Sequence, residues 1–401
     1  MLENVNRIAI GHQPFIADAQ HCQSLLAAGM RYLEWVMTGS LKDQRVHGLD
    51  ALRGIAASAV VFVHAVQIHP LGVDYKNWGI DYFSMGVPLF FLISAMSMSL
   101  AYPKGVSFDR IWAYALRRFF RIAPLFYLML CAWLYIGVQA ETGTIIRNMT
   151  FLFGFVPSEQ TSLVPAGWSI GVEVIFYLLF PFFWAWRNIW AALSLFLLAC
   201  LGWAAVNYNG QGEVPDYYYW TSFFTNAPYF ALGLIVWCIY RLTPASFARP
   251  LGYFTLAAGL AGLIYMFQFG PVLDDAQKMY KPVPLEFVLG WGAASASLAL
   301  SQALRPVSLL YNSATRFLGK ISYSLYLTHP FLIYKTSLTR WAATLSDNPD
   351  LVVPVVCAIT LAVTIPVATV IYYAVEVPFM RFARHLTKPD PRNTALQQLA
   401  S

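Results

Sequence analysis

The feature that most constrains this chain is a succession of ten mostly apolar stretches, each 16 to 24 residues long. A helix needs about 20 such residues to cross the hydrocarbon core of a bilayer. Charged residues make up only 11% of the sequence, against about 25% in a soluble globular protein. We therefore predict an all-α, polytopic membrane helix bundle with about ten transmembrane helices, at residues 52–71, 83–101, 122–140, 169–186, 189–206, 222–241, 251–269, 284–303, 321–336 and 352–375.

The distribution of basic residues predicts how the bundle is oriented. With the N-terminus inside, 20 of the 26 lysines and arginines lie on the cytoplasmic side, as the positive-inside rule expects. Ten spans then leave both termini in the cytoplasm. We divide the chain into a cytoplasmic or interfacial arm (1–46), a transmembrane domain (47–385) and a cytoplasmic tail (386–401). The apolar stretch 145–156 is too short to span and is predicted to be interfacial or re-entrant.

The first span carries two ionisable side chains on one face. Arg53 lies at its cytoplasmic start and His64 follows 11 residues later, which is about three turns, or about 16 Å, along a helix. An ionisable group inside a membrane is costly and usually faces a cavity, so His64 is a candidate catalytic residue. A neutral histidine hydrogen-bonded between helices is the alternative. Asp50 is placed either to orient Arg53 or to form an ordinary salt bridge with it.

Charged residues beside the third and fourth spans suggest a binding site. Arg117, Arg118 and Arg121 precede the third span. Arginine side chains match phosphate oxygens, so the cluster suits phosphate binding, with simple membrane anchors as the alternative. Glu173 lies about one turn inside the outer end of the fourth span. We expect it to be protonated, or paired with a histidine or arginine of a neighbouring helix, with a structural role as the alternative.

Further polar residues lie in the later spans. The ninth stretch is short and polar and contains Tyr326 and His329, for which a packed, hydrogen-bonded histidine is an equal alternative. Trp168 and Ser169 open the fourth span, where Trp168 also suits an interfacial aromatic belt. Glu376, at the inner end of the last span, is expected to form a structural ion pair. No metal-ligand spacing is visible, so we expect no metal.

Four segments, taken in order, resemble the acyltransferase-3 family of integral-membrane acyltransferases. They are the Arg53–His64 pair with ten residues between, RRFFRIAP, WSIGVE and SYSLYLTH. The resemblance covers residues 49–381. One departure lies in the second span, where the family commonly has a glycine after a serine and this chain has Ala95 after Ser94. We expect local helix packing to differ there.

The resemblance implies a bacterial cytoplasmic (inner) membrane enzyme that moves an acyl group, usually acetyl, from cytoplasmic acyl-CoA to a hydroxyl of a cell-surface or lipid-linked polysaccharide. His64 would be a general base or an acylated nucleophile, and Glu173 would orient it as the carboxylate of a catalytic triad does. The residues expected to bind are Arg53, Arg117, Arg118 and Arg121 for the phosphates of acetyl-CoA, and Trp168, Ser169, Tyr326 and His329 for the acceptor.

The expected partners are acyl-CoA, a glycan acceptor and membrane lipids. The net charge of +6 is explained by membrane topology, so we expect no nucleic acid. A transporter or flippase of a lipid-linked saccharide is the alternative from another class, although internal repeats typical of transporters are not visible. A membrane scaffold without chemistry would leave Arg53, His64 and Glu173 unexplained.

Overall fold

The computed structural model describes six parts of the chain. The N-terminal arm and nearly all of the C-terminal tail lie outside them, so the predictions made for these segments stay predictions. The described residues are 47–68, 79–182, 188–209, 212–269, 282–346 and 348–387.

The described residues form helices joined by turns and irregular segments, without a strand among them. This confirms the prediction of an all-α fold. The helices, in chain order, are α1 (His47–Gln67), α2 (Gly86–Ala101), α3 (Ile111–Tyr135), α4 (Thr142–Met149), α5 (Trp168–Leu179), α6 (Ile189–Ala204), α7 (Tyr218–Thr221), α8 (Phe223–Leu242), α9 (Ala245–Phe269), α10 (Leu285–Leu304), α11 (Ser313–Lys335), α12 (Leu338–Ala343), α13 (Pro349–Ile371) and α14 (Val377–Leu386).

Eight continuous helical segments in the described part of the chain are long and apolar enough to cross a membrane. They are His47–Gln67 (α1), Ile80–Ala101 (which ends with α2), Phe108–Tyr135 (which ends with α3), Ile189–Tyr208 (which begins with α6), Tyr218–Leu242 (α7 and α8), Ala245–Phe269 (α9), Leu285–Leu304 (α10) and Asp350–Leu386 (α13 and α14). The other two predicted spans correspond to α5 and α11. Helix α5 has only 12 residues. Helix α11 has 23 residues and is therefore longer than predicted. It begins at a capping box, in which Asn312 and Thr315 each satisfy the backbone N–H of the other.

Helix α3 begins 11 residues earlier than the predicted span. The three arginines in its first half lower the mean hydropathy there, so the sequence did not show this part as a span. Aromatic residues before and between these arginines belong to the same helix. Tyr114 is buried, and its hydroxyl donates to the carbonyl oxygen of Tyr177 at 2.7 Å. Because of this early start, Arg117, Arg118 and Arg121 lie within α3 instead of before it.

Close helix crossings occur where one partner lacks a side chain. Helix α8 packs against α2 at Gly233, where an added Cβ would overlap the Leu92 carbonyl oxygen and lie 2.9 Å from the Cβ of Ala95. Small residues allow such backbone approaches in membrane bundles. The extra methyl group of Ala95 is therefore accommodated by a glycine on the facing helix.

Helices α1 and α11 run parallel and touch at two levels. Near their N-terminal ends, a Cβ added to Gly54 would lie 2.6 Å from the backbone nitrogen of Gly319, and one added to Gly319 would overlap the Asp50 carbonyl. Ten residues further along each helix, His64 meets His329. The glycine crossing thus fixes how closely the two histidine-bearing helices approach.

The segment before α5 enters the bundle as compact irregular backbone. Phe151, Ser162 and Ala166 all have left-handed φ values, between 59° and 67°. Asn148 is fully buried, and its amide oxygen accepts from the Ser162 hydroxyl and the Leu163 backbone nitrogen. Within a membrane such backbone is tolerated only where protein or a cavity surrounds it. The stretch 145–156, which was predicted to be interfacial or re-entrant, ends in this segment, since its first five residues belong to α4 and residues 150–156 follow that helix.

Candidate active site

Helices α1, α2, α3, α5 and α11 enclose a cavity of about 150 Å³. Three arginines line it, Arg53, Arg118 and Arg121, together with Glu173 and the hydroxyl groups of serines and tyrosines. The cavity therefore joins residues of all four sequence segments that carried the family resemblance, and it brings α2 in beside them. Its charged residues all come from the sequence-predicted site.

Arg53 is held in place by two neighbours. Its guanidinium lies 3.3 Å from the Asp50 carboxylate and donates to the Ser97 hydroxyl at 3.1 Å. The predicted contact with Asp50 is therefore confirmed. Because both partners leave part of the planar group uncovered, Arg53 can still offer N–H donors to an anion in the cavity.

Arg121 has a different environment. Its Nη1 lies 2.5 Å from the Glu376 carboxylate, which is 1% exposed and also accepts a hydrogen bond from the Ser324 hydroxyl. The prediction of a structural ion pair for Glu376 is confirmed. Arg121 lines the cavity, but much of its hydrogen-bonding capacity is used within the protein.

Arg117 and Arg118 are adjacent in sequence, but Arg118 lines the cavity and Arg117 is at the surface. The Arg118 guanidinium lies over the Tyr177 ring, 5.6 Å from its centroid, and its buried Nε has no hydrogen-bond partner among the described residues. Arg117 is exposed, points away from the cavity lining and donates to Thr387. Of the pair, only Arg118 is available to a ligand in the cavity.

Among the described residues no cationic side chain pairs with Glu173, so the expected histidine or arginine partner is not found, whereas the alternative of a protonated Glu173 stays a prediction. Its Oε1 accepts hydrogen bonds from the Ser94 hydroxyl, at 2.6 Å, and from the Tyr177 hydroxyl. The expected orienting contact between Glu173 and His64 is also wrong, because His64 bonds to another histidine. Helix α5 begins beside the middle of α11, where Ser169 meets Tyr326.

Ser169 and Tyr326 mark the far wall of the cavity. The Ser169 hydroxyl lies 2.9 Å from the Tyr326 hydroxyl, which donates to the Ala166 carbonyl at 3.0 Å. Both side chains line the cavity. Trp168 packs edge-to-face on Phe91, with 6.1 Å between ring centroids, and is outside the lining.

His64 and His329 form a hydrogen-bonded pair just beyond this wall, with their ring planes 16° apart. Nδ1 of His64 lies 2.7 Å from Nε2 of His329, and the ring centroids are 4.9 Å apart. The ring of Tyr326, which lines the cavity, lies edge-on to His329 with 6.0 Å between centroids, and His329 itself is outside the lining. His329 is fully buried, with both ring nitrogens in hydrogen bonds, so its placement gives no support to direct contact with an acceptor.

Sequence reasoning named both histidines but missed that they pair. A signal was available, because each histidine follows a glycine by ten residues, at Gly54 and Gly319. The first and ninth spans must run in the same direction through a membrane. Two parallel helices that cross at those glycines bring the residues ten positions later to the same height.

Comparison with known proteins agrees with this architecture. The family model described as an acyltransferase domain, Acyl_transf_3, matches residues 46–373. A curated relative from Bacillus subtilis (strain 168), named "Putative peptidoglycan O-acetyltransferase YrhL", is 23% identical over 330 residues. The match covers 73% of this chain and 49% of the relative. This chain thus spans about half the length of that protein. No solved structure matches the chain.

The family match covers most of the 401 residues and coincides with a bundle of helices able to cross a membrane. The arginine–histidine motif, the RRFFRIAP segment, the WSIGVE segment and the SYSLYLTH segment all lie inside it. The chain therefore belongs to the acyltransferase-3 family of integral-membrane acyltransferases.

Proposed function

We propose that this acyltransferase moves an acetyl group from cytoplasmic acetyl-CoA to a hydroxyl of a cell-surface or lipid-linked saccharide, in the inner membrane of a bacterium. The observation that carries the proposal is the order of residues along α1. Arg53 lines a cavity with two further arginines, and His64 lies 11 residues later in the same continuous helix, about 16 Å away along its axis.

The arginine cavity suits the anionic end of the donor. Guanidinium groups bind phosphate oxygens through paired hydrogen bonds, and Arg53 and Arg118 have donors to offer. The volume of about 150 Å³ is below the roughly 300–1,000 Å³ typical of sites for whole drug-sized ligands. The cavity therefore accommodates only part of acetyl-CoA, and the thioester must lie elsewhere, toward His64.

The transfer itself needs a base beside an already activated thioester. In direct transfer, His64 takes the proton of the acceptor hydroxyl as its oxygen attacks the thioester carbonyl carbon. The carbon–sulfur bond breaks, and the imidazolium returns the proton to the thiolate to give free CoA. In the alternative route, His64 attacks the carbonyl carbon first and the carbon–sulfur bond breaks to release CoA thiolate. The acceptor hydroxyl then attacks the acyl-histidine, the carbon–nitrogen bond breaks, and the hydroxyl proton ends on the thiolate to give free CoA.

A saccharide acceptor is supported by the name of the curated relative, a peptidoglycan O-acetyltransferase. The excess of basic residues on one side of the predicted topology supports entry of the donor from the cytoplasm. With both termini inside, α1 carries His64 outward from the arginine cavity, toward the side where a surface glycan is available.

The test uses inverted membrane vesicles that carry the full chain, given acetyl-CoA labelled in the acetyl group. We expect free CoA to be released and label to enter an alkali-labile ester on glycan. His64→Ala should abolish both at matched expression. His385→Ala is the matched control, because His385 is exposed in α14. Full activity of His64→Ala would refute the mechanism, and a chain that leaves acetyl-CoA intact would favour the transporter alternative.

A further inference from the structure

The hydrogen bonds of the histidine pair determine which nitrogen of His64 is basic. Nδ1 of His329 lies 3.1 Å from the carbonyl oxygen of Leu325, and a carbonyl oxygen can only accept. Nδ1 of His329 therefore carries a proton. An uncharged imidazole has one N–H, and an unpaired cation is costly inside a membrane bundle, so Nε2 of His329 is an acceptor.

The position of the proton on His329 determines the position of the proton on His64. Nδ1 of His64 lies 2.7 Å from the acceptor Nε2 of His329, so Nδ1 of His64 must be the donor. The lone pair of His64 is then on Nε2, which has no hydrogen-bond partner among the described residues. His64 is partly exposed, whereas His329 is fully buried.

We infer that His329 is a positioning residue, which fixes the tautomer and ring plane of His64 so that Nε2 is the atom that accepts the acceptor's proton or receives the acyl group. The inference rests on the proposed function in one respect, the role of His64 as base or nucleophile. His329 replaces the expected carboxylate of Glu173, and it does so without adding a charge.

The surroundings suit a fixed partner better than a proton relay. The chain of hydrogen bonds ends at the Leu325 carbonyl, which cannot take up a proton at neutral pH. The glycine crossing of α1 and α11 sets the distance between the two helices, and the Tyr326 ring packs against His329. His329 is thus held on both sides, and it holds His64 in turn.

Two substitutions separate positioning from packing. His329→Gln keeps an acceptor for the His64 N–H, whereas His329→Leu keeps similar bulk and has none. We expect His329→Leu to lower kcat for CoA release from acetyl-CoA about 100-fold or more, in the range of general-base effects, with KM for acetyl-CoA within about threefold because the arginine cavity is untouched. His329→Gln should recover most of the lost kcat.

A direct readout does not depend on turnover. In protein labelled with ¹⁵N-histidine, protonated and lone-pair nitrogens give separate resonances, and those of His64 are assigned by comparison with His64→Gln. We expect the His64 proton on Nδ1 in the unsubstituted protein and in His329→Gln. In folded His329→Leu we expect a mixture of tautomers.

A proton found on Nε2 of His64 in the unsubstituted protein would overturn the inference, as would a His329→Leu enzyme with unchanged kcat. Neither result would touch the proposed function. Conversely, failure of the unsubstituted protein to consume acetyl-CoA would refute the proposed function and leave the tautomer measurement valid.

Discussion

Arg121 Nη1 lies 2.5 Å from Glu376 Oε2, and this ion pair joins the first half of α3 to the π-helical turn Tyr372–Glu376 at the end of α13. The carboxylate is 1% exposed and the arginine 32%. One end of the pair is therefore buried and the other reaches the cavity. Breaking it should affect the stability of the bundle before it affects donor binding.

Glu376→Gln should destabilise the protein by about 3 kcal/mol, because removing one partner of a buried pair leaves the other without compensation. The measurement is thermal unfolding in detergent. Glu286→Gln is the control, since Glu286 is exposed at the start of α10. The double change Arg121→Met, Glu376→Met should lose less than the sum of the two single changes, and strict additivity would argue against a coupled pair.

Arg118→Ala should raise KM for acetyl-CoA by about tenfold to a hundredfold. A hydrogen bond to a charged group contributes about 1.5–3 kcal/mol, and Arg118 is the cavity arginine with an unused buried donor. Arg117→Ala is the matched control, one residue away and bonded to Thr387 at the surface. Equal KM changes in the two variants would place the phosphates outside this cavity.

Gly319→Ala should lower both kcat and melting temperature, because the new Cβ would overlap the Asp50 carbonyl and push α1 away from α11. A separation of even 1 Å at the histidine pair weakens a 2.7 Å hydrogen bond. In Gly143→Ala the nearest contact is the flexible end of Arg147, at 3.3 Å. That variant should behave as the unsubstituted enzyme. Unchanged kcat and stability in Gly319→Ala would contradict the tight crossing.

Glu159 provides a pH-dependent contribution outside the candidate spans. The side-chain hydrogen bond from Arg147 holds the pKa of Glu159 below its ordinary value, helped by the Thr144 hydroxyl. A lowered pKa stabilises the fold above the ordinary carboxyl pKa of about 4.3, and this stabilisation disappears as pH falls through the lower, folded-state value.

Glu159→Gln should therefore melt at a lower temperature than the unsubstituted protein at pH 7, and the difference should shrink below about pH 4. Glu213→Gln, at an exposed position, should show no such difference at either pH. A gap between Glu159→Gln and the unsubstituted protein that stays constant down to pH 3 would show that the carboxylate charge does not matter.

The sequence was sufficient for the helical class because long apolar stretches have few alternatives in a membrane protein. It also singled out Arg53, Arg118, Arg121 and Glu173, although for different roles, and the structure brings these four to one cavity. What it could not supply was adjacency between helices. The partner of Glu173 was predicted from charge alone, and the hydroxyl groups of Ser94 and Tyr177 fill that role instead.

One further error has an identifiable physical origin. The third span was started too late because arginines interrupt its apolar pattern, although the aromatic residues between them continue the helix. The irregular segment before α5 was not foreseen in detail either, because three of its residues, Phe151, Ser162 and Ala166, have left-handed backbone. Non-glycine residues give little warning in sequence that they will adopt such backbone.

Within the described part of the chain, the His64–His329 pair contacts no carboxylate. With no acceptor reacting, both imidazoles of the pair are uncharged. The bundle can therefore fold in the membrane without a charged residue to balance them. In the direct transfer proposed above, positive charge arises on His64 only while the acceptor oxygen is attacking, when negative charge grows on the oxygen and sulfur of the thioester. The energetic cost of a charged His64 inside the membrane would thus arise only in the transition state, where the negative charge on the thioester balances it.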